Sequence, residues 1–293
     1  MNWFLALAAM LLAFGRTSGD LGGGADGGSS SSGPSVTVPL TPLPAAGASN
    51  LPLPAISPAR GENPPLVVID AGHGGRDPGA TSPFGGRLEK HVTLALARRI
   101  RDQLAASGRV RVALTREDDR FLILQDRYEI ARRLGADLFI SIHADAAERD
   151  GARGATIYTL SEVASDAEAA RLAERQNASD RLAGAQLSPD PNVNMILIDL
   201  AQRESMNVSA DFARILYREA APIFPFRPEW HRFASLVVLK APDIPSVLFE
   251  SGYMTNEVDT AYIHSEQGQS QIAQGMKQAI EAHFARRSLR VER

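Results

Sequence analysis

Three short stretches place metal-ligating or proton-transferring side chains directly after apolar runs: His73 in VVIDAGHGG (67–75), His143 in SIHAD (141–145) and Glu250 in SVLFESG (246–252). A strand can end on any polar residue, so one such ending carries little weight, and the argument rests on three of them together. Two neutral imidazoles and a carboxylate suit Zn²⁺, whose catalytic sites take three protein ligands and leave a fourth position open. His73 and His143 supply the nitrogens. Glu89, in GGRLEKHVTLAL, is the best third ligand, although a carboxylate there could instead cap the helix that follows. Glu250 is then the spare carboxylate, free to accept a proton from a water that zinc brings to a pKa of roughly 7. Asp70 and Asp145 would either orient the histidines or be solvated at the strand ends. GHGG lacks both the P-loop Lys-Ser/Thr and the dinucleotide spacing, which argues against a phosphate cradle. His91, His231, His264 and His283 fit no such pattern and read as ordinary surface or helix residues. Arg76, Arg87 and the arginines of 98–116 either read substrate carboxylates or form a solvated face, the second being the simpler reading.

The elements that must position these residues alternate. Strands are expected at 66–70, 110–115, 137–142, 154–160, 235–239 and 246–250, and helices at 91–108, 122–134, 165–183, 205–221 and 266–285. In helix 91–108 the apolar residues Val92, Leu96, Ile100 and Leu104 recur every fourth position, and Gly108 closes it. Strands alternating with helices of this length imply a three-layer α/β/α fold with a twisted, mostly parallel sheet of about six strands. Ligands bind such sheets beyond the carboxyl ends of the strands. His73, His143 and Glu250 all fall there, on one edge.

Around this domain the composition changes. The chain has 293 residues, 44% hydrophobic and 22% charged, enough for one full-sized core. A net charge of −3 gives no polyanion-binding signature, so nucleic acid is not expected as a partner. With no cysteine, neither a disulfide framework nor a thiolate zinc site is possible. WFLALAAMLLAF (3–14) is too short to span a bilayer comfortably and resembles a signal-peptide core, although no basic residue precedes it. Residues 1–17 are therefore expected to be a signal peptide, 18–64 a Gly/Ser/Pro-rich disordered linker, 65–287 the folded domain and 288–293 a basic tail.

The domain from about 66 to 286 resembles the zinc-dependent N-acetylmuramoyl-L-alanine amidases that split septal peptidoglycan in bacteria. The resemblance is carried by VVIDAGHGGRDPGA, GRLEKHVTLALARRI, LTREDD, GADLFISIHADA, NASD and LVVLKAPDIPSVLFESGYMTN, in that order along the chain. It implies one Zn²⁺ per chain on His73, Glu89 and His143, Glu250 as the catalytic glutamate, peptidoglycan as substrate, a role in daughter-cell separation, and a periplasmic or cell-wall location. The alternatives are a zinc peptidase cutting another bond, and a wall-binding module without catalysis. A monomer is expected, with no membrane span in the mature chain. Division-associated members of the resembled family carry an inhibitory helix that a LytM-domain activator displaces. The polar insertion at about 162–204 stands in that place, so helix 165–183 is expected over the zinc. Glu174 or Asp180, or more weakly Gln176, would fill the open position.

Overall fold

The computed structural model describes residues 51–147, 151–182 and 195–291. The expected leader, residues 18–50 of the spacer and the Pro/Asn break at 188–194 lie outside the described residues. Six strands, β1 (Leu66–Ala71), β2 (Arg111–Leu114), β3 (Leu138–His143), β4 (Ala155–Leu160), β5 (Phe226–Ala234) and β6 (Ser246–Glu250), form one sheet in the order β2-β1-β3-β6-β4-β5. All neighbours are parallel except β4 and β6. The helices among the described residues are α1 (Glu89–Ser107), α2 (Leu124–Leu134), α3 (Ala167–Asn177), α4 (Ser179–Leu182), α5 (Met195–Ala220), α6 (Glu257–His264) and α7 (Glu266–Val291).

Alternation along β1 assigns the layers. Val67, Ile69 and Ala71 face a core built with Leu96 and Ile100 of α1, Phe212 and Leu216 of α5, and Ile272 and Met276 of α7. Leu66 and Val68 face the opposite core, with Ala131 of α2 and Leu172 of α3. Both faces are covered, which is why the strands read as near-continuous apolar runs. Ile100 is fully buried, so Ile100→Ala would cost about 2–5 kcal/mol through lost burial and the cavity left behind.

Because β1, β3 and β6 run parallel, their carboxyl ends meet on one edge, and His143 stands directly opposite Glu250 in the register. The expected three-layer, mostly parallel fold is what the chain forms.

Four expectations are corrected. The fifth strand is Phe226–Ala234, paired with β4, while Val237–Leu239 is a single 3₁₀ turn. FRPEWHRFA carries Pro228 and many polar residues, as a sheet edge allows, whereas a short apolar run such as SLVVL has no period that separates strand from buried turn. The helix expected at 205–221 begins at Met195, because the apolar run MILIDLA hides its helical period. A separate helix, α6, precedes α7, its first turn capped by the Asn256 side chain, which accepts from the backbone N–H of Val258 and Asp259. Finally, the end of the spacer is not free. Ser57 forms an antiparallel bridge with Val112 on the open edge of β2, and the Arg60 N–H donates to the Gly108 carbonyl at 2.8 Å.

Candidate metal centre

His73 lies just past β1, in a loop whose Gly74 and Asp77 exchange backbone hydrogen bonds of 2.9 and 3.1 Å. Its φ of 60° is left-handed, the one non-glycine case among the described residues. Such a conformation is uncommon outside glycine, though histidine tolerates it better than most residues, and it recurs where a site dictates the backbone. His143 is the last residue of β3, and Glu89 the first of α1. Glu89 does not cap its helix. Its carboxylate instead accepts the backbone N–H of Ala80 and of Ala144, both at 2.8 Å, across the gap to β3. The two ring–carboxylate contacts with Glu89 are close: His73 Nε2 to Glu89 Oε2 is 3.1 Å and His143 Nδ1 to Glu89 Oε1 is 3.2 Å. The imidazole centroids are 4.9 Å apart, edge to face.

Two glycines make this approach possible. A Cβ on Gly72 would sit 2.4 Å from the His143 ring, and one on Gly79 would sit 2.6 Å from Glu89 Oε2. Glu250, fully buried, accepts the Asp145 N–H on Oε2 at 2.9 Å, while its Oε1 has no hydrogen-bond partner.

The electrostatics call for a cation. Burial, then the charges of Asp145 and Glu89, raise the Glu250 carboxyl well above the usual carboxylate range. Burial would likewise raise Glu89, but the two histidines hold it well below that range. Burial would lower His73, yet Glu89 and Asp77 push it up to about 10. Glu89 and Asp77 thus favour positive charge at this point, which a bound cation would supply.

The donor set fits a metal. His73, Glu89 and His143 each offer a ligand atom within 4.8 Å of the others, all buried. His73 Nε2 is buried and, despite its nearness to Glu89, makes no hydrogen bond. Two nitrogens and one oxygen with Glu250 beside them suit a dication with one open position.

Of the remaining candidates, Asp70 touches neither imidazole and is not solvated. It accepts from Thr115, Ser141 and Arg127 at 2.6, 2.7 and 3.0 Å. Asp145 pairs with Arg175 of α3 at 2.9 Å and reaches Glu250 through its backbone N–H. Glu174 is exposed, and Asp180 accepts the N–H of Leu124 at the start of α2, so the structure brings neither to the metal-capable group. Gln176 is buried. The reading from sequence missed Asp77, whose Oδ2 meets His73 Nδ1 at 2.8 Å and fixes the ring. The signal was an acid four residues after the histidine, in HGGRD. It also left Arg116 on a solvated face, whereas that side chain is wholly buried.

A family model described as N-acetylmuramoyl-L-alanine amidase matches residues 67–282. The chain belongs to this amidase family. Among its relatives, the amidase AmiA of Escherichia coli is 37% identical over 221 residues, covering 75% of this chain and 76% of that protein. AmiC of Neisseria meningitidis is 36% identical over 230 residues, covering 78% of this chain but 55% of its own length, so the chain spans about half of that longer relative. The catalytic domain of the amidase CwlV from Bacillus (Paenibacillus) polymyxa superposes with a TM-score of 0.57 at 26% identity, covering 75% of this chain and 98% of that one. The amidase AmiC2 of Nostoc punctiforme gives 0.55 at 28% identity, covering 77% and 99%. The residues matched by the family model, 67–282, include the metal-capable group and Glu250.

Proposed function

We propose that this protein is a zinc-dependent hydrolase that cleaves the amide between N-acetylmuramic acid and L-alanine in peptidoglycan, in the periplasm or cell wall, during wall remodelling and daughter-cell separation. The observation that carries the reading is the buried His73–Glu89–His143 group with the unpartnered Glu250 Oε1 beside it, in a chain of the amidase family.

His73, Glu89 and His143 would hold the ion, with Asp77 fixing the His73 ring. Zinc, when bound, supplies Lewis acidity that polarises a carbonyl and makes water a competent nucleophile near neutral pH. Glu250 does the proton work. Its Oε2 is held by the Asp145 N–H, leaving Oε1 to take the proton of the attacking water and return it to the departing alanine nitrogen. Burial excludes competing solvent from that carboxylate.

The regulatory reading is narrower than Glu174 or Asp180 as inhibitory ligands. Helix α3 is tied to the catalytic side through Arg175 and Asp145, and Gln176 is buried one residue further on. Holding α3 there keeps the resting enzyme slow, and a LytM-domain activator would lift it. The test of the function is peptide release from purified sacculi. Activity that survives chelation, or that persists in Glu250→Gln, would count against it.

A further inference from the structure

Two buried guanidinium groups sit under the loop that carries His73. Arg116 donates from Nε to the Ala71 carbonyl at 2.9 Å and from Nη2 to the Gly72 carbonyl at 2.8 Å. Arg127 donates from Nη1 to the Ala71 carbonyl at 2.8 Å and from Nη2 to the His73 carbonyl at 2.9 Å. Three consecutive backbone carbonyls, 71 to 73, are therefore gripped by two cations. Arg127 has Asp70 as a charge partner at 3.0 Å, whereas Arg116 makes no ion pair among the described residues. Burial, and then the neighbouring Arg127, push Arg116 down to about 10.

Burying two like charges side by side is unfavourable, and apolar residues of similar volume would fill the space with less penalty. What guanidinium supplies, and an apolar side chain cannot, is a planar fork of donors in fixed directions. The loop needs such a hold, because His73 has left-handed φ and would relax without it.

The rest of the LTREDD block acts on the same loop. Thr115 donates to Asp70 at 2.6 Å, and Asp119 accepts the Gly75 N–H at 2.8 Å and pairs with Lys90 at 2.6 Å. Lys90 in turn donates to the Gly75 carbonyl at 2.8 Å. From Asp70 to Gly75 the loop is bonded to residues 115–119 and to Arg127.

We propose that Arg116 and Arg127, with Asp119 at the outer end, are positioning residues that hold His73 in its ligating conformation, so that metal affinity depends on a clamp which touches neither metal nor substrate. The inference rests on the metal reading given above and adds residues to it.

The experiment measures metal binding apart from turnover. Wild type, Arg116→Lys, Arg127→Lys, Asp119→Ala and the exposed control Arg120→Ala are stripped of metal, melted, and titrated with Zn²⁺ against a chromophoric chelator. Each is also loaded with Co²⁺ and its visible absorption recorded, because that band reports ligand geometry and does not follow global stability. The clamp predicts that the two lysine variants bind Zn²⁺ about 10–100-fold more weakly with a shifted Co²⁺ band, and that Asp119→Ala moves in the same direction by less. Arg120→Ala should match wild type. Folded lysine variants with wild-type affinity and spectrum would overturn the clamp. Should the lysine variants fail to fold, Asp119→Ala decides: a weaker, spectrally shifted site supports the proposal and an unchanged one overturns it. Wild type that binds neither ion would overturn the metal reading itself, and the clamp with it, so the two failures are distinguishable.

Discussion

In the proposed function Glu250 moves protons: its Oε2 accepts the Asp145 N–H, and its buried Oε1 has no hydrogen-bond partner. Glu250→Gln keeps the shape and removes the base. It is expected to keep one zinc per chain by elemental analysis while sacculus hydrolysis falls by about 10²–10⁴-fold. His143→Ala, by contrast, should lose metal and activity together. Gly72→Ala tests the tight approach of the backbone, because its Cβ would meet the His143 ring at 2.4 Å and displace it. Zinc affinity measured by chelator competition should fall at least about tenfold in that variant while the far-ultraviolet spectrum stays unchanged. Residue type and place in the chain made the metal-capable group legible: one polar residue after a strand carries little weight, but two histidines and a glutamate recurring at such places pointed to the group that the fold brings together. Their supports were not legible. Arg116 looks like any arginine among charged neighbours, and only the fold reveals that its donors go to backbone carbonyls and to the Thr93 hydroxyl.

At the scale of elements, α3 and the end of the spacer carry testable consequences. Arg175 joins α3 to Asp145, whose backbone N–H donates to Glu250, and on the proposed reading loosening the helix would reach Glu250 through that pair. Arg175→Ala should raise basal sacculus hydrolysis several-fold without any activator, measured by dye release. An unchanged rate in a folded, metal-loaded variant would remove α3 from the regulatory account. Within residues 51–60, Ser57 exchanges backbone hydrogen bonds with Val112 on the outer edge of β2, which would otherwise present unpaired backbone groups there. Deleting them should lower the melting midpoint by several degrees and promote self-association, as seen by sedimentation. The parallel sheet was readable because strands buried on both faces give unbroken apolar runs, as in LVVID and DLFISI. β5 was not readable, because an edge strand has one unpaired side, and there Pro228 and Glu229 are tolerated. The packing of the end of the spacer against β2 was hidden for a related reason. It is anchored by backbone bonds, which composition does not record.

For the whole molecule, acid stability is set partly far from the active site. His283 lies buried between α5 and α7, against Phe212, and burial together with Arg287 and Arg286 pushes it down to about 4. Unfolded, it would titrate near 6.5. Between those values the unfolded chain binds more protons than the folded one, so stability falls as pH falls through that window. The term reaches roughly 3 kcal/mol at its full extent. Asp166 and Glu168 add a loss at lower pH, because hydrogen bonds to Arg232 and Arg227 hold both carboxyls below their usual range. The melting midpoint should therefore decline from pH 6.5 to 4, and less steeply in His283→Leu. The central claim concerns the bond that is cut. Purified sacculi digested with the zinc-loaded full chain should release stem peptides that begin with a free L-alanine amino group, detected by mass spectrometry, and a chelator should stop that release until zinc is restored. Peptides cut at an internal bond, or release that continues without metal, would contradict the account.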